Sequence, residues 1–177
     1  MLKSILAVVM VIMLVLSCLP AWALDKKGPE DAPDSQFKMN AERIGGLRLG
    51  LPAKEVSGFI SCNVVKGKEI LEGATGEYVQ TWKYPECGIE FKMGSGRRGG
   101  AKAIESITIA SPSDLATGRG IRIGSTEEEV SKAYGRYRDN EMSAKGKEFV
   151  AGSIYGGMIF HFKNGKVVKI FLGAAAE

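Results

Sequence analysis

Two stretches decide how this chain reads. Residues 46–57 run Gly46-Leu47-Arg48-Leu49-Gly50-Leu51-Pro52-Ala53-Lys54-Glu55-Val56-Ser57, and residues 120–131 run Gly120-Ile121-Arg122-Ile123-Gly124-Ser125-Thr126-Glu127-Glu128-Glu129-Val130-Ser131. They align without gaps at an offset of 74 residues; Gly, Arg, Gly, Glu, Val and Ser are identical and the aliphatic positions match in kind. A self-match at a fixed offset is read as an internal repeat. In each copy an aliphatic-Arg-aliphatic segment alternates its faces as a short extended piece. A glycine then permits a tight turn, and a helix is predicted to start. In the second copy Ser125 is the predicted N-cap, with Glu128 three residues on as a capping box. The run Glu127-Glu128-Glu129 suits the positive end of that helix's dipole and reads as a solvated helix start, not a metal or acid–base site. In the first copy Pro52 takes the first helical position, where its missing N–H costs nothing.

Strands are predicted after each helix. Tyr78 to Tyr84 alternates and Pro85-Glu86 turns. Gly88-Ile89-Glu90-Phe91-Lys92-Met93 alternates apolar with charged, Gly94 to Gly100 reads as a flexible tip, and Ile104 to Ile109 returns. Later, Phe149 to Tyr155 reads as a strand, Gly156-Gly157 as a turn, and Met158 to Phe162 as the next strand. Asn164-Gly165 is a hairpin signal of the type I′ kind, and Val167 to Leu172 returns. The fold class expected is therefore α+β: two tandem helix-plus-antiparallel-sheet units, residues 44–112 and 113–177, with the helices packed on one face of the sheet or sheets.

Residues 1–23 read as an address. Lys3 gives a positive start, and Ile5 to Leu16 is a run of 12 apolar residues, short for a bilayer about 30 Å thick. Pro20 breaks it, and Ala21-Trp22-Ala23 fits a cleavage site, which points to a secretory signal; an uncleaved anchor is the alternative. Val15-Leu16-Ser17-Cys18 also resembles a bacterial lipobox, which would make Cys18 a lipidated first residue. Either route exports the chain, to a periplasmic or secreted location or to an outer-membrane lipid anchor through Cys18, and that anchor would be its only membrane contact. Residues 24–43, charged and carrying two prolines up to Asn40, read as a flexible linker, with structure starting near Ile44.

Composition bounds the rest. Across 177 residues, 45% are hydrophobic and 25% charged, the ordinary balance of a globular chain. The net charge of +4 is too slight to point to nucleic acid. There is one histidine, so chemistry that needs two is excluded. In an oxidising compartment Cys62 and Cys87 form an even pair and are expected to be disulfide-bonded; the other reading, a redox or nucleophilic cysteine, would need a CxxC or a nearby base, and neither is evident.

The pattern aliphatic-x-aliphatic-Gly-x-[Ser/Thr]-x-x-[Glu/Gln]-Val, followed by a helix and an antiparallel meander, resembles the beta-lactamase inhibitory protein family. It also resembles the SmpA/OmlA-like outer-membrane assembly lipoproteins. The stretch Ile121 to Val130, with Tyr134-Gly135 closing the helix, carries most of the likeness, which covers about Ile44 to Gly173. The resemblance implies an exported tandem domain with an inhibitor or assembly role. It implies a fold and brings no catalytic motif.

No nucleophile–base pair, no GxSxG elbow and no phosphate loop is legible. His161 lies between Phe160 and Phe162, so alternation turns it to the opposite face. Arg97-Arg98 reads as a mobile hairpin end or a contact for anions. A broad outward sheet face is expected to carry Tyr78, Trp82, Tyr84, Glu90, Lys92, His161, Lys169 and Phe171. Such mixtures of aromatic and charged side chains anchor protein partners; the competing reading makes the aromatics core. The function expected is a non-enzymatic exported protein-binding module, with an envelope or extracellular protein as partner and no cofactor. The alternatives are a small-ligand carrier and a cell-wall hydrolase that would use carboxylates such as Glu86, Glu90 or Glu105.

Overall fold

The computed structural model describes residues 36–176; the expected signal, Cys18 and most of the expected linker lie outside them. Eight strands form one antiparallel sheet: β1 (Val65–Lys66), β2 (Ile70–Leu71), β3 (Tyr78–Tyr84), β4 (Ile89–Ser95), β5 (Ala103–Ala110), β6 (Glu148–Ser153), β7 (Gly156–Lys163) and β8 (Lys166–Gly173). Their order is β1-β3-β4-β5-β8-β7-β6, with β2 also paired to β3. Two three-stranded meanders thus meet along their last strands, where Ile107 faces Leu172 and Ile109 faces Ile170. Each meander turns where its sequence allows. Gly88 closes the β3–β4 turn at φ 61, where a side chain would strike the Ala110 carbonyl. Asn164 and Gly165 take φ 53 and 71 between β7 and β8, the backbone a type I′ hairpin requires.

The fold-class expectation is corrected here. The chain does not build two helix-plus-sheet units with helices packed on the sheet; it is mostly antiparallel sheet with one substantial helix. The second copy gives α2 (Glu127–Tyr134), while the first gives only a four-residue turn of helix, α1 (Ala53–Val56). The reason is local. Ser57-Gly58 follows α1, and glycine costs a helix about 1 kcal/mol relative to alanine. A few residues on, Cys62 is tied to Cys87 in the β3–β4 turn, with Cα atoms 6.2 Å apart. The chain must leave the helical path to reach that bond.

The two copies nonetheless dock on the sheet through the same backbone bonds. Gly50 N–H donates to Ile104 O and Gly124 N–H to Val167 O, both at 2.8 Å. In return Ile104 N–H donates to Leu51 O at 3.0 Å and Val167 N–H to Ser125 O at 2.8 Å. Gly50 and Gly124 adopt φ 71 and 89. Leu47 and Ile121, Val56 and Val130, and Ile60 and Tyr134 are buried at matching positions.

One face of the sheet carries Phe91, Met93, Ile107, Ile109, Phe149, Met158, Phe160, Ile170 and Leu172, and the residues just named cover it. The cap of α2 is one residue later than expected: Thr126 accepts from Glu129 N–H, and Glu129 reaches back to Thr126 N–H. Ser125 instead accepts from Arg122 N–H. Part of the segment read as linker is also placed. Phe37 and Met39 pack against the core, and the nearly buried Glu42 accepts from the Tyr134 hydroxyl and pairs with Arg119 at 3.3 Å. No helix among the described residues is long and apolar enough to cross a membrane.

Candidate functional site on the open sheet face

The opposite face of the sheet follows from strand alternation. β4 sends Glu90 and Lys92 to it, β5 sends Ser106 and Thr108, β8 sends Lys169 and Phe171, β7 sends Ile159 and His161, and β6 sends Glu148 and Val150. Register places these side by side: Glu90 against Thr108, Thr108 against Phe171, Phe171 against Ile159, and His161 between Lys169 and Glu148. Five of the eight residues expected on an outward face are therefore together: Glu90, Lys92, His161, Lys169 and Phe171.

Tyr78, Trp82 and Tyr84 are not with them, and that expectation is corrected. Trp82 pairs with Phe91 and Tyr84 with Ile89 across β3 and β4, and cross-strand partners share a face. Ile89 and Phe91 point inward, so the β3 aromatics do too. Trp82 is 9% exposed and Tyr84 5%. The Trp82 indole N–H donates to Gln80 Oε1 at 2.8 Å, and the Lys66 ammonium lies 3.9 Å from its ring centroid. Tyr84 stacks edge-on to Phe91, its hydroxyl pKa pushed up by burial.

The open face is hollowed. One depression, of about 720 Å³, is lined by Lys92, Ser106, Thr108, Glu148, Ile159, His161, Lys169 and Phe171, and closed at one end by Ile154 and Ala174 to Ala176. Ala175 and Ala176 donate their N–H groups to Ile154 O, which holds that wall in place. A second depression, of about 370 Å³, continues from the same Lys92, Ser106, Thr108 and Phe171 toward Thr81, Glu90, Ile70 and Glu72. The two make one trough with half-buried Phe171 at its middle.

Charge along the trough alternates. Lys83 pairs with Glu90 at 3.1 Å, and Lys92 with Glu72 at 2.7 Å and Glu105 at 3.8 Å. His161 Nδ1 meets Glu148 Oε2 at 2.9 Å. Burial, and then Lys169, hold the His161 pKa below its ordinary value in spite of Glu148. Near neutral pH the imidazole is thus an uncharged donor to that carboxylate. Lys169 forms no ion pair among the described residues.

No family model, curated protein or solved structure matches the chain.

The carboxylates considered for hydrolysis have different surroundings. Glu86 is in the β3–β4 turn, Glu90 is paired with Lys83, and Glu105 sits at a bulge in β5 beside Glu77. Among the described residues no group of three His, Cys, Asp or Glu side chains could hold a metal ion. The disulfide between Cys62 and Cys87 is formed, as the even cysteine pair suggested. Sequence reasoning missed Glu148, Ile159, Glu72 and the Ala174–Ala176 wall. Strand phase would have found Ile159 and Glu148 once His161 was placed outward. Nothing local marks the wall, because its position depends on a turn 20 residues earlier.

Proposed function

We propose that this chain is an exported, non-enzymatic binding module that docks an envelope or extracellular protein in the trough of its open sheet face. The observation that carries this reading is the arrangement around Phe171. A ring and the flank of Ile159 lie at the centre, with Lys92, Lys169, Glu90 and Glu148 around them. Protein interfaces are built in that way, with an apolar anchor at the centre and a polar rim. The Cys62–Cys87 disulfide supports an oxidising, exported setting. The likeness of the 121–130 block to beta-lactamase inhibitory and SmpA/OmlA-like proteins fits an inhibitor or assembly role.

The test is affinity capture from envelope extract with the wild-type protein and with Lys169→Glu/Phe171→Ala. The double variant should lose the captured partner, weakening binding by about 30-fold or more, as expected for a central anchor. Its melting temperature should stay within a few degrees of wild type. Trp82→Ala is the contrasting variant: with its indole in the core it should lose about 3–5 kcal/mol of stability. Equal capture by wild type and the double variant would refute the trough as the docking site.

A second reading has its own support. On the core side of β3 a cavity of about 770 Å³ is lined by Pro52, Ala53, Gln80, Trp82, Ala101 and Lys102. It has the size and apolar lining of a small-ligand site, which would suit a carrier. Native mass spectrometry of the purified protein would show the extra mass.

A further inference from the structure

A third cavity, of about 420 Å³, lies beside the outer edge of β6, away from the trough. Among the described residues its walls include Gln36, Phe37, Arg136, Tyr137, Arg138 and Ser153, and no carboxylate. The two arginines come from one short segment. Residues Gly135–Tyr137 form a 3-10 turn after α2, and Arg138 then extends to bridge Ala151 of β6. That backbone path fixes where both side chains start.

No described carboxylate neutralises either guanidinium. Arg136 and Arg138 form no ion pair among the described residues. Two described carboxylates, Asp139 and Glu42, are engaged elsewhere. Asp139 accepts from the N–H groups of Glu141 and Met142 at 3.0 and 3.1 Å, and Glu42 is held by Arg119 and Tyr134. Arg138 Nε is buried and has no hydrogen-bond partner, although its guanidinium carbon lies 5.2 Å from the Phe149 ring centroid. A ring face offsets some positive charge but does not accept the in-plane N–H bond. A buried donor without an acceptor loses its hydration and gains nothing. Two uncompensated guanidinium groups on one cavity add a positive field that an anion would relieve.

The rest of the cavity suits a ligand larger than a bare ion. Phe37 and Tyr137 meet edge to face at 5.6 Å and give it an aromatic wall. Arg136 lies 4.6 Å over the Tyr137 ring, and Arg119 lies 4.9 Å from it while donating to its hydroxyl. These contacts hold the tyrosine, and with it the wall.

We propose that the Arg136–Arg138 cavity is an oxyanion site that takes a phosphate group, with the organic part of a phosphorylated ligand against the Phe37–Tyr137 wall. Arginine's planar fork matches the paired oxygens of phosphate, and Arg136 and Arg138 bring two such groups to the wall of one cavity. The phosphate belongs either to a soluble phosphate monoester or to a lipid headgroup.

Titration of the protein with inorganic phosphate, followed by NMR of the arginine Nε–H resonances, tests this directly. The Arg138 signal should shift saturably, and chloride at equal ionic strength should not reproduce the shift. Arg136→Gln, at an exposed position, should weaken binding at least about tenfold. Arg138→Gln should do the same; if that variant fails to fold, Arg136→Gln decides alone. Lys169→Glu, on the other face, should leave phosphate binding unchanged, which keeps this result separate from the trough. Tighter binding of glycerol 3-phosphate than of inorganic phosphate would assign a soluble monoester. Arg136-dependent sedimentation with vesicles of phosphatidylcholine and phosphatidic acid would assign a lipid headgroup. A chloride-like, unsaturating shift, or the same affinity in Arg136→Gln, would overturn the proposal.

Discussion

Glu105 illustrates how one residue's setting reverses its usual behaviour. Lys92 pairs with Ser106 and Met93 with Ile104 across β4 and β5, so Glu105 is the extra residue of a bulge. Its carboxyl is pushed up to about 7 by burial, and then by the neighbouring Glu77 carboxylate, with Lys92 opposing. Its buried Oε1 has no partner while both groups are ionised, because two carboxylates have no proton to share; protonation of Glu105 supplies one. The folded pKa lies above the unfolded value, so the folded state binds more protons between about 4.5 and 7. Stability is then greatest on the acid side of that window and falls as pH rises through it. Glu105→Gln should remove the penalty, raising stability at about pH 8 by roughly 1–3 kcal/mol and flattening the pH dependence; urea melts at about pH 5 and pH 8 measure it. This was not legible in the sequence, because Glu77 and Glu105 meet only through β3–β4–β5 pairing and the bulge. Trp82 failed for a related reason. Alternation grouped it correctly with Tyr78 and Tyr84, but their face depends on register with Phe91, which a single strand does not contain.

At the scale of elements, α2 owes its start to the box between Thr126 and Glu129. Glu129 accepts the Thr126 N–H at 2.6 Å, and Thr126 Oγ1 accepts the Glu129 N–H at 3.1 Å. Those bonds with Thr126 hold the Glu129 pKa below its ordinary value. Thr126→Ala should cost about 1 kcal/mol of global stability by denaturant melting, whereas Ser125→Ala should cost less. The helix itself was legible, with its cap displaced by one residue because Ser125-Thr126 and Glu128-Glu129 offer two boxes in adjacent frames. Only backbone docking of Gly124 and Ser125 onto β8 chooses between them. The first copy misled in the other direction. Its sequence carries the turn and the apolar positions, but the Cys62–Cys87 bond and Gly58 shorten the helix to α1. The β4, β5, β7 and β8 strands were readable from alternation, and the Asn164-Gly165 turn from its residue types. β1 and β2 were not, being two residues each.

Across the whole molecule the seam between β5 and β8 joins the two meanders, and its core-side residues Ile107, Ile109, Ile170 and Leu172 are fully buried. Because that pairing is in the middle of one sheet, the halves should not unfold separately. Calorimetry should give one transition, and native-state hydrogen exchange should find the slowest amides in β5 and β8; two resolved transitions would contradict a shared core. The two short strands at the far side have a different consequence. A sheet's last strand exposes unpaired N–H and C=O groups that can template another chain. Here that border is split into Val65–Lys66 and Ile70–Leu71, which leaves exposed Val65, Ile70 and Leu71 in fragments shorter than the five or six residues of an ordinary strand. The break, with Gly67 and two lysines around it, protects the protein against runaway self-assembly into fibrils despite its apolar margin.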